Sequence, residues 1–331
     1  MVFASCVALG SVHGQEIAED FYRGRTMGIV IPIGPGGAYD AYGRVVARHL
    51  GKQLPGNPTI VPRNMPGAGG VIASNYLFNV APQDGTMLAI ATSSFANEQL
   101  FENPQIKYDA RKFPMIGRLL DTTSVLFFWH ASKIKTLADL YKIPSTIALS
   151  SLNEVPAARI RAMNRLLGTQ MKIIPGYPSA RDYVLAVERG ETDGGTSTYI
   201  GLSQLFSSHL REKKLNVVVQ FATGRDSAMP DIPAVSELAG NAETRQIFDF
   251  LVSNDQIGRT LMTTPNVPPP RVELLRSAFD KMIKDPEFQA EAARASLLLS
   301  TKTGAEMQKV VASTFDVSPA ALEQIKNLGS R

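Results

Sequence analysis

Residues 27–40 read Met27-Gly28-Ile29-Val30-Ile31-Pro32-Ile33-Gly34-Pro35-Gly36-Gly37-Ala38-Tyr39-Asp40, and this stretch decides the fold. The run Met27–Ile33 lacks the alternation of a half-buried strand. It reads as a strand buried on both faces, the kind found in parallel sheets. It empties into Gly34-Pro35-Gly36-Gly37, and a helical segment follows from Ala38 to about Leu54. There Val45, Val46, His49 and Leu50 recur near helical spacing, with Arg44, Arg48 and Lys52 on the other side. Pro55-Gly56-Asn57-Pro58 stops the helix.

Working outward, the same order repeats. Thr59–Val61 reads as a short strand closed by Pro62, and Pro66-Gly67-Ala68-Gly69-Gly70 leads into a helix over Val71–Val80 with Ile72, Tyr76 and Val80 on one face. Met87–Ala91 is another buried strand, ending in Thr92-Ser93-Ser94. Strand–loop–helix alternation predicts an α/β domain built on a parallel sheet. Further along, Ser124–Trp129, Ile147–Leu149, Lys172–Ile174 and Leu215–Phe221 read as strands, with helices over Pro156–Leu167 and Ala180–Arg189. That is a second α/β unit. The tail is mostly helical: Arg271–Ile283 follows three prolines, Thr303 to Glu306 is a capping-box pattern, and Ser318-Pro319 opens the last helix.

Composition narrows the function. The chain has 331 residues, enough for about two domains. Hydrophobic residues make up 44 % and charged residues 19 %, which fits a globular protein. A formal charge of +4, dispersed along the chain, argues against a nucleic-acid partner. One cysteine makes no internal disulfide and no cysteine-based metal site, and the four histidines show no ligand spacing, so no metal and no cofactor is expected. No apolar run reaches the roughly 18 residues needed to span a bilayer.

Residues 1–14 contain no charged side chain, and Val2–Leu9 has the length of a signal-peptide core, followed by small residues. They are expected to be a signal peptide, truncated because the basic start is missing. Export to the periplasm follows. Cys6 then lies in the removed segment, unless it is retained or lipidated.

Three loops rich in Gly, Ser and Thr follow predicted strand ends: Gly34–Asp40, Pro66–Gly70 and Thr92–Ser94. In open α/β sheets ligands bind at that edge. Glycine lets backbone N–H groups face a ligand unobstructed, and a following helix adds partial positive charge. Together they suit an anion. Asp40, in the first helical turn, is expected to shape the loop, since a free carboxylate would repel an anion. A dinucleotide fingerprint fails at Gly67-Ala68-Gly69-Gly70, because the third glycine falls at Ile72 and the next strand ends in Thr92, not an acid. There is no nucleophile elbow, and nothing places a histidine beside Ser150-Ser151. These serines, with Thr196-Ser197-Thr198, are expected to donate hydrogen bonds from the second unit.

The segment Pro32 to Asp40 with Gly43-Arg44-Val45 resembles the Pro-Gly-Gly-x-x-Asp signature of the Bug-type solute receptors, the extracytoplasmic binding proteins of tripartite tricarboxylate transporters. Asn64-Met65-Pro66-Gly67-Ala68-Gly69-Gly70 and Pro82-Gln83-Asp84-Gly85-Thr86 resemble further motifs of that family, in the same order. The resemblance implies an α/β fold like that of type II periplasmic binding proteins, with two lobes, a cleft and hinge strands. It implies a first lobe of 25–123 plus 235–331 and a second of 124–234. It also implies a monomer that is not an enzyme. Such a receptor binds a small organic anion, a carboxylate, and delivers it to the membrane components of the transporter. The ligand site is expected at Gly36, Gly37, Ala38, Tyr39, Asp40, Gly69, Gly70, Thr92 and Ser93, with Ser150, Ser151, Thr196, Ser197 and Thr198 on the opposite wall. The chain departs from the family's pattern at Ala38-Tyr39, at Leu152 and at Thr196–Thr198; Tyr39 is expected to narrow the cleft or stack on ligand. The alternatives are a soluble α/β enzyme acting on a small carboxylate or phosphate ester, and a ligand sensor for a partner protein.

Overall fold

A computed structural model describes residues 20–329, apart from 102, 121, 153, 154 and 178. Residues 1–14, with Cys6, lie outside the described residues. The strands in chain order are β1 (Thr26–Ile31), β2 (Thr59–Asn64), β3 (Met87–Ala91), β4 (Met115–Arg118), β5 (Ser124–Trp129), β6 (Ser145–Leu149), β7 (Met171–Pro175), β8 (Gly194–Thr198), β9 (Leu215–Phe221), β10 (Thr260–Thr263) and β11 (Lys302–Thr303). They form two sheets, ordered β11-β4-β10-β3-β1-β2 and β7-β6-β8-β5-β9.

The chain divides into two compact units. One holds the described residues before 122 with Ile257–Ala312, and the other holds Thr122–Gln256 with the described residues from Ser313 on. The division differs from the expected lobes on the C-terminal side, where 235–256 and the final helix pack with the second unit. Side chains of the helix Val155–Ala162 account for this. Arg159, fully buried, donates from Nε and Nη2 to the Leu251 carbonyl (3.0 and 2.9 Å) and pairs with Asp255 at 2.9 Å. Arg161 donates to the Leu328 carbonyl at 2.8 Å, tying down the last helix, Pro319–Gly329. Such long-range side-chain bonds to helix carbonyls leave no mark in local sequence.

In the first unit β1 is parallel to both β2 and β3, and Ile29, Val30 and Ile31 are fully buried, as the apolar run requires. The helix Ala38–His49 lies over β1 and buries Val45, Val46 and His49; a short 3-10 turn, Leu50–Gln53, completes the expected helix. Pro62 does not close β2, which runs on to Asn64. The strand is at the sheet edge, where proline's missing N–H costs no ladder bond. The helix Val71–Asn79 turns its other side inward. Val71, Ser74 and Leu77 are buried, whereas Ile72 and Val80 are 51 % and 71 % exposed. Of the three apolar positions read from the sequence, Ile72 and Val80 face outward and Tyr76 is half-buried. Strands β4 and β10 carry too little pattern to announce themselves. They enter antiparallel, β10 between β3 and β4.

In the second unit β8 is parallel to β6 and antiparallel to β5. Thr196, Ser197 and Thr198 are thus the last residues of a strand. Gly194 permits the close pairing of β8 and β5, since a Cβ there would lie 2.4 Å from the Phe127 carbonyl oxygen. That neighbour is backbone and cannot step aside. Gly194→Val should therefore destabilise the chain by about 1–3 kcal/mol through overpacking. Urea unfolding monitored by far-UV circular dichroism measures this; an unchanged midpoint would contradict the close approach.

Candidate functional site

Strands β1, β2 and β3 run in the same direction and end at Ile31, Asn64 and Ala91, so their following loops leave one edge of the sheet. In the first of these loops Gly36 has φ +88°, and Gly36, Gly37 and Ala38 are exposed. Gly37 precedes the helix with an ordinary φ of −88°, and a Cβ built on it meets no atom within 4 Å. The helix starts without a side-chain cap, so its first backbone N–H groups meet no capping oxygen.

Asp40 is 6 % exposed, which obliges its carboxylate to find partners. The Gly36 N–H donates to Oδ2 (3.0 Å), Arg44 Nε lies 3.0 Å from both oxygens, and Asn64 Nδ2 donates to Oδ1 (2.8 Å). Asn64 also donates to the Ile33 carbonyl (2.9 Å) and accepts from Arg44 Nη2 (2.9 Å). The Arg44 hydrogen bond above all, with help from Gly36 N–H and Asn64, outweighs burial and holds the carboxyl at about 2, below its ordinary 3.8. The ionised group is bound to its own loop and to the end of β2.

The other two loops close on the first. Gly70 has φ +103°, and a Cβ there would come within 2.6 Å of Thr92 Cγ2, so the second loop's backbone lies against buried Thr92. Ser93 Oγ is 3.1 Å from Tyr39 Oη in a shared hydrogen bond. Gly69 lies next to this contact, its virtual Cβ 3.9 Å from Ser94 Oγ. Thus Tyr39, Gly70, Thr92 and Ser93, named from three separated stretches, meet at one edge.

The second unit gathers its own hydroxyls. Ser150 and Ser151 follow β6, half-buried and exposed respectively, at the edge where β8 ends. Thr196 is buried, and Ser197 and Thr198 are half-buried. Thr198 Oγ1 accepts from the Gly201 N–H (3.1 Å) and so caps the helix Tyr199–Leu205; its own O–H remains a donor.

Sequence reasoning missed three participants. Arg44 and Asn64 stand within quoted motifs, and an Asp–Arg pair four apart on a helix is a readable signal. Arg259 was not anticipated. It precedes β10, and the antiparallel pairing of Thr260 with Ala91 delivers it to the end of β3, with its neighbour Gly258 against Ser93. Only a glycine turn before a four-residue strand hints at it in the sequence.

The profile of the tripartite tricarboxylate transporter family receptors, TctC, matches residues 42–326. The chain belongs to this family. The protein BugT of Bordetella pertussis is 25 % identical to this TctC-family receptor over 232 residues, covering 67 % of the chain and 68 % of BugT. Among solved structures, a TctC solute-binding protein from Polaromonas superposes with a TM-score of 0.71 at 19 % identity, over 93 % of this chain and 98 % of that one. MatC from Rhodopseudomonas palustris, with bound malate, superposes with a TM-score of 0.51 at 20 % identity, over 92 % and 99 %. The fold is that of the solute-binding proteins, as the resemblance implied. The match begins two residues after Asp40, so the glycine loop's role rests on its geometry.

The network around Asp40 has a pH signature. A carboxyl whose value is lowered on folding stabilises the protein fully above the unfolded value, 3.8, and loses that contribution as pH falls through about 2. Asp40→Asn keeps the shape but removes the charge that holds Arg44. It should cost about 1–3 kcal/mol at neutral pH. The gap from wild type should shrink between about pH 4 and pH 2, as wild-type Asp40 itself protonates. Urea midpoints measured across that range test this; a gap that stays constant down to pH 2 contradicts it.

Proposed function

We propose that the receptor captures a small organic anion, a carboxylate, in the periplasm and delivers it to the membrane components of a tripartite transporter. The observation that carries this reading is the edge of the first sheet, where three loops offer backbone N–H groups and hydroxyls while the carboxylate of Asp40 is tied into the chain. An edge rich in donors, with its acid occupied, suits a ligand rich in acceptors. In this reading Gly37 and Ala38 present N–H groups to the ligand, and Gly36, whose N–H is given to Asp40, borders it. Gly69, Gly70, Thr92 and Ser93 add the adjoining surface, and Ser150, Ser151, Thr196, Ser197 and Thr198 supply donors of the same chemistry from the second unit. Asp40 acts by holding the loop. Tyr39 borders the site. Binding of malate by MatC supports the choice of carboxylate. Export rests on family membership and on the apolar segment 1–14. Among the described residues, no helix is long and apolar enough to cross a membrane. The reading is non-catalytic: the acid is captured and released unchanged.

A panel of mono-, di- and tricarboxylic acids screened by thermal shift and calorimetry tests this. An acid at 100 times its Kd should stabilise the native state by about 2.7 kcal/mol. Chemical turnover of a bound acid overturns the receptor reading. Gly37→Leu has open space around its Cβ and should leave the unliganded stability within about 1 kcal/mol of wild type, the cost of a poorer helix N-cap. It should weaken the best acid by more than about tenfold, because a branched side chain then stands where the ligand meets the backbone. Unchanged affinity would remove the glycine loop from the site.

A further inference from the structure

The edge holds one charge that the reading above does not use. Arg259 is pinned by its backbone: its N–H donates to the Ala91 carbonyl (3.1 Å) and its carbonyl accepts from the Leu119 N–H (3.2 Å). It sits in the left-handed region at φ +63°, which a non-glycine side chain adopts only at a cost. Gly258 before it packs so closely that a Cβ would lie 2.5 Å from Ser93 Oγ and 3.1 Å from Tyr39 Oη. The Arg259 guanidinium carbon stands 4.6 Å from the centre of the Tyr39 ring. Tyr39 in turn hydrogen-bonds Ser93, so the cation rests on a ring anchored between the first and third loops.

Among the described residues this guanidinium forms no ion pair, and its Nε is buried with no hydrogen-bond partner. Asp40, the acid of the adjacent loop, is taken by Arg44, Asn64 and Gly36. Another arginine, Arg159, also over an aromatic ring, is paired with Asp255 and the Leu251 carbonyl. A half-buried cation held in strained backbone without an anion is costly unless something else supplies the anion.

We infer that Arg259, stacked on Tyr39, is the charged contact for the ligand and makes the site select an ionised carboxylate over the neutral amide or ester of the same shape. The inference rests on the proposed site. The guanidinium is planar and permanently charged, and its fork of N–H donors matches a carboxylate. The cation–π contact fixes its plane without consuming its charge. Loop N–H groups and hydroxyls donate to a neutral amide oxygen almost as readily as to a carboxylate oxygen, so they discriminate poorly alone. Arg259 supplies the discrimination.

The test titrates wild type, Arg259→Gln, Arg259→Lys and Gly37→Leu by calorimetry with a fixed set of probes: succinate, malate, adipate and citrate, each beside its full amide. Arg259→Gln should weaken the best-bound acid by about tenfold or more and bring its affinity to within a few-fold of its amide. Arg259→Lys, which keeps the charge but not the fork, should retain a preference for the acid at reduced affinity. If Arg259→Gln keeps the wild-type ratio of acid to amide while Gly37→Leu loses binding, the site stands and the role of Arg259 is overturned. If wild type binds no probe, the carboxylate reading fails and this inference fails with it. Should Arg259→Gln fail to fold, Arg259→Met, which keeps the stem without the charge, decides by the same acid-to-amide ratio. A ratio equal to wild type then overturns the inference, and a reduced one supports it.

Discussion

One buried carboxylate organises the first unit's functional edge. A glycine-rich turn has no side chains to hold it, and left alone it would sample many backbone conformations. Asp40 removes that freedom by binding the Gly36 N–H at one oxygen and Asn64 at the other, with Arg44 across both. Asn64 is the last residue of β2, so the network joins the turn after one strand to the end of its neighbour. Its charge also sits at the first turn of a helix, where the macrodipole favours it. A single ionised group thus sets the loop's shape, using the Gly36 N–H and leaving Gly37 and Ala38 exposed beside it.

The edge has two electrostatic layers. Below lies a closed pair, Asp40 with Arg44, which neutralises itself. Beside it lies an open cation, Arg259, supported by the Tyr39 ring rather than by an acid. Tyr39 keeps its hydroxyl on Ser93 and offers an aromatic face, and a guanidinium occupies that face. Ring and cation are therefore one feature: an aromatic platform and the charge it carries.

Much of this was legible in residues 27–94. An apolar run without alternation predicts a strand of a parallel sheet, and three such strands with glycine loops predict an edge where those loops gather. The tight backbone positions at Gly36 and Gly70 were readable because glycine alone takes a positive φ there without penalty. The inward face of the helix Val71–Asn79 was not readable, since its apolar residues surround it and packing alone selects Val71, Ser74 and Leu77. The final helix was legible as a helix, but its attachment to the second unit depends on Arg161 reaching the Leu328 carbonyl.

The sequence by itself determined the α/β class, the parallel core of β1, β2 and β3, and the chemistry of their loops. Those features are local, set by the period of apolar residues, by glycine's backbone freedom and by hydrogen bonds between residues a few positions apart. Only the tertiary structure decided which charge joins them. Arg259 is separated from Tyr39 by more than two hundred residues of chain and arrives because β10 pairs antiparallel with β3. Pairing between distant strands depends on the closure of long loops and on the packing of both sheet faces, and a four-residue strand carries no pattern that encodes its neighbour.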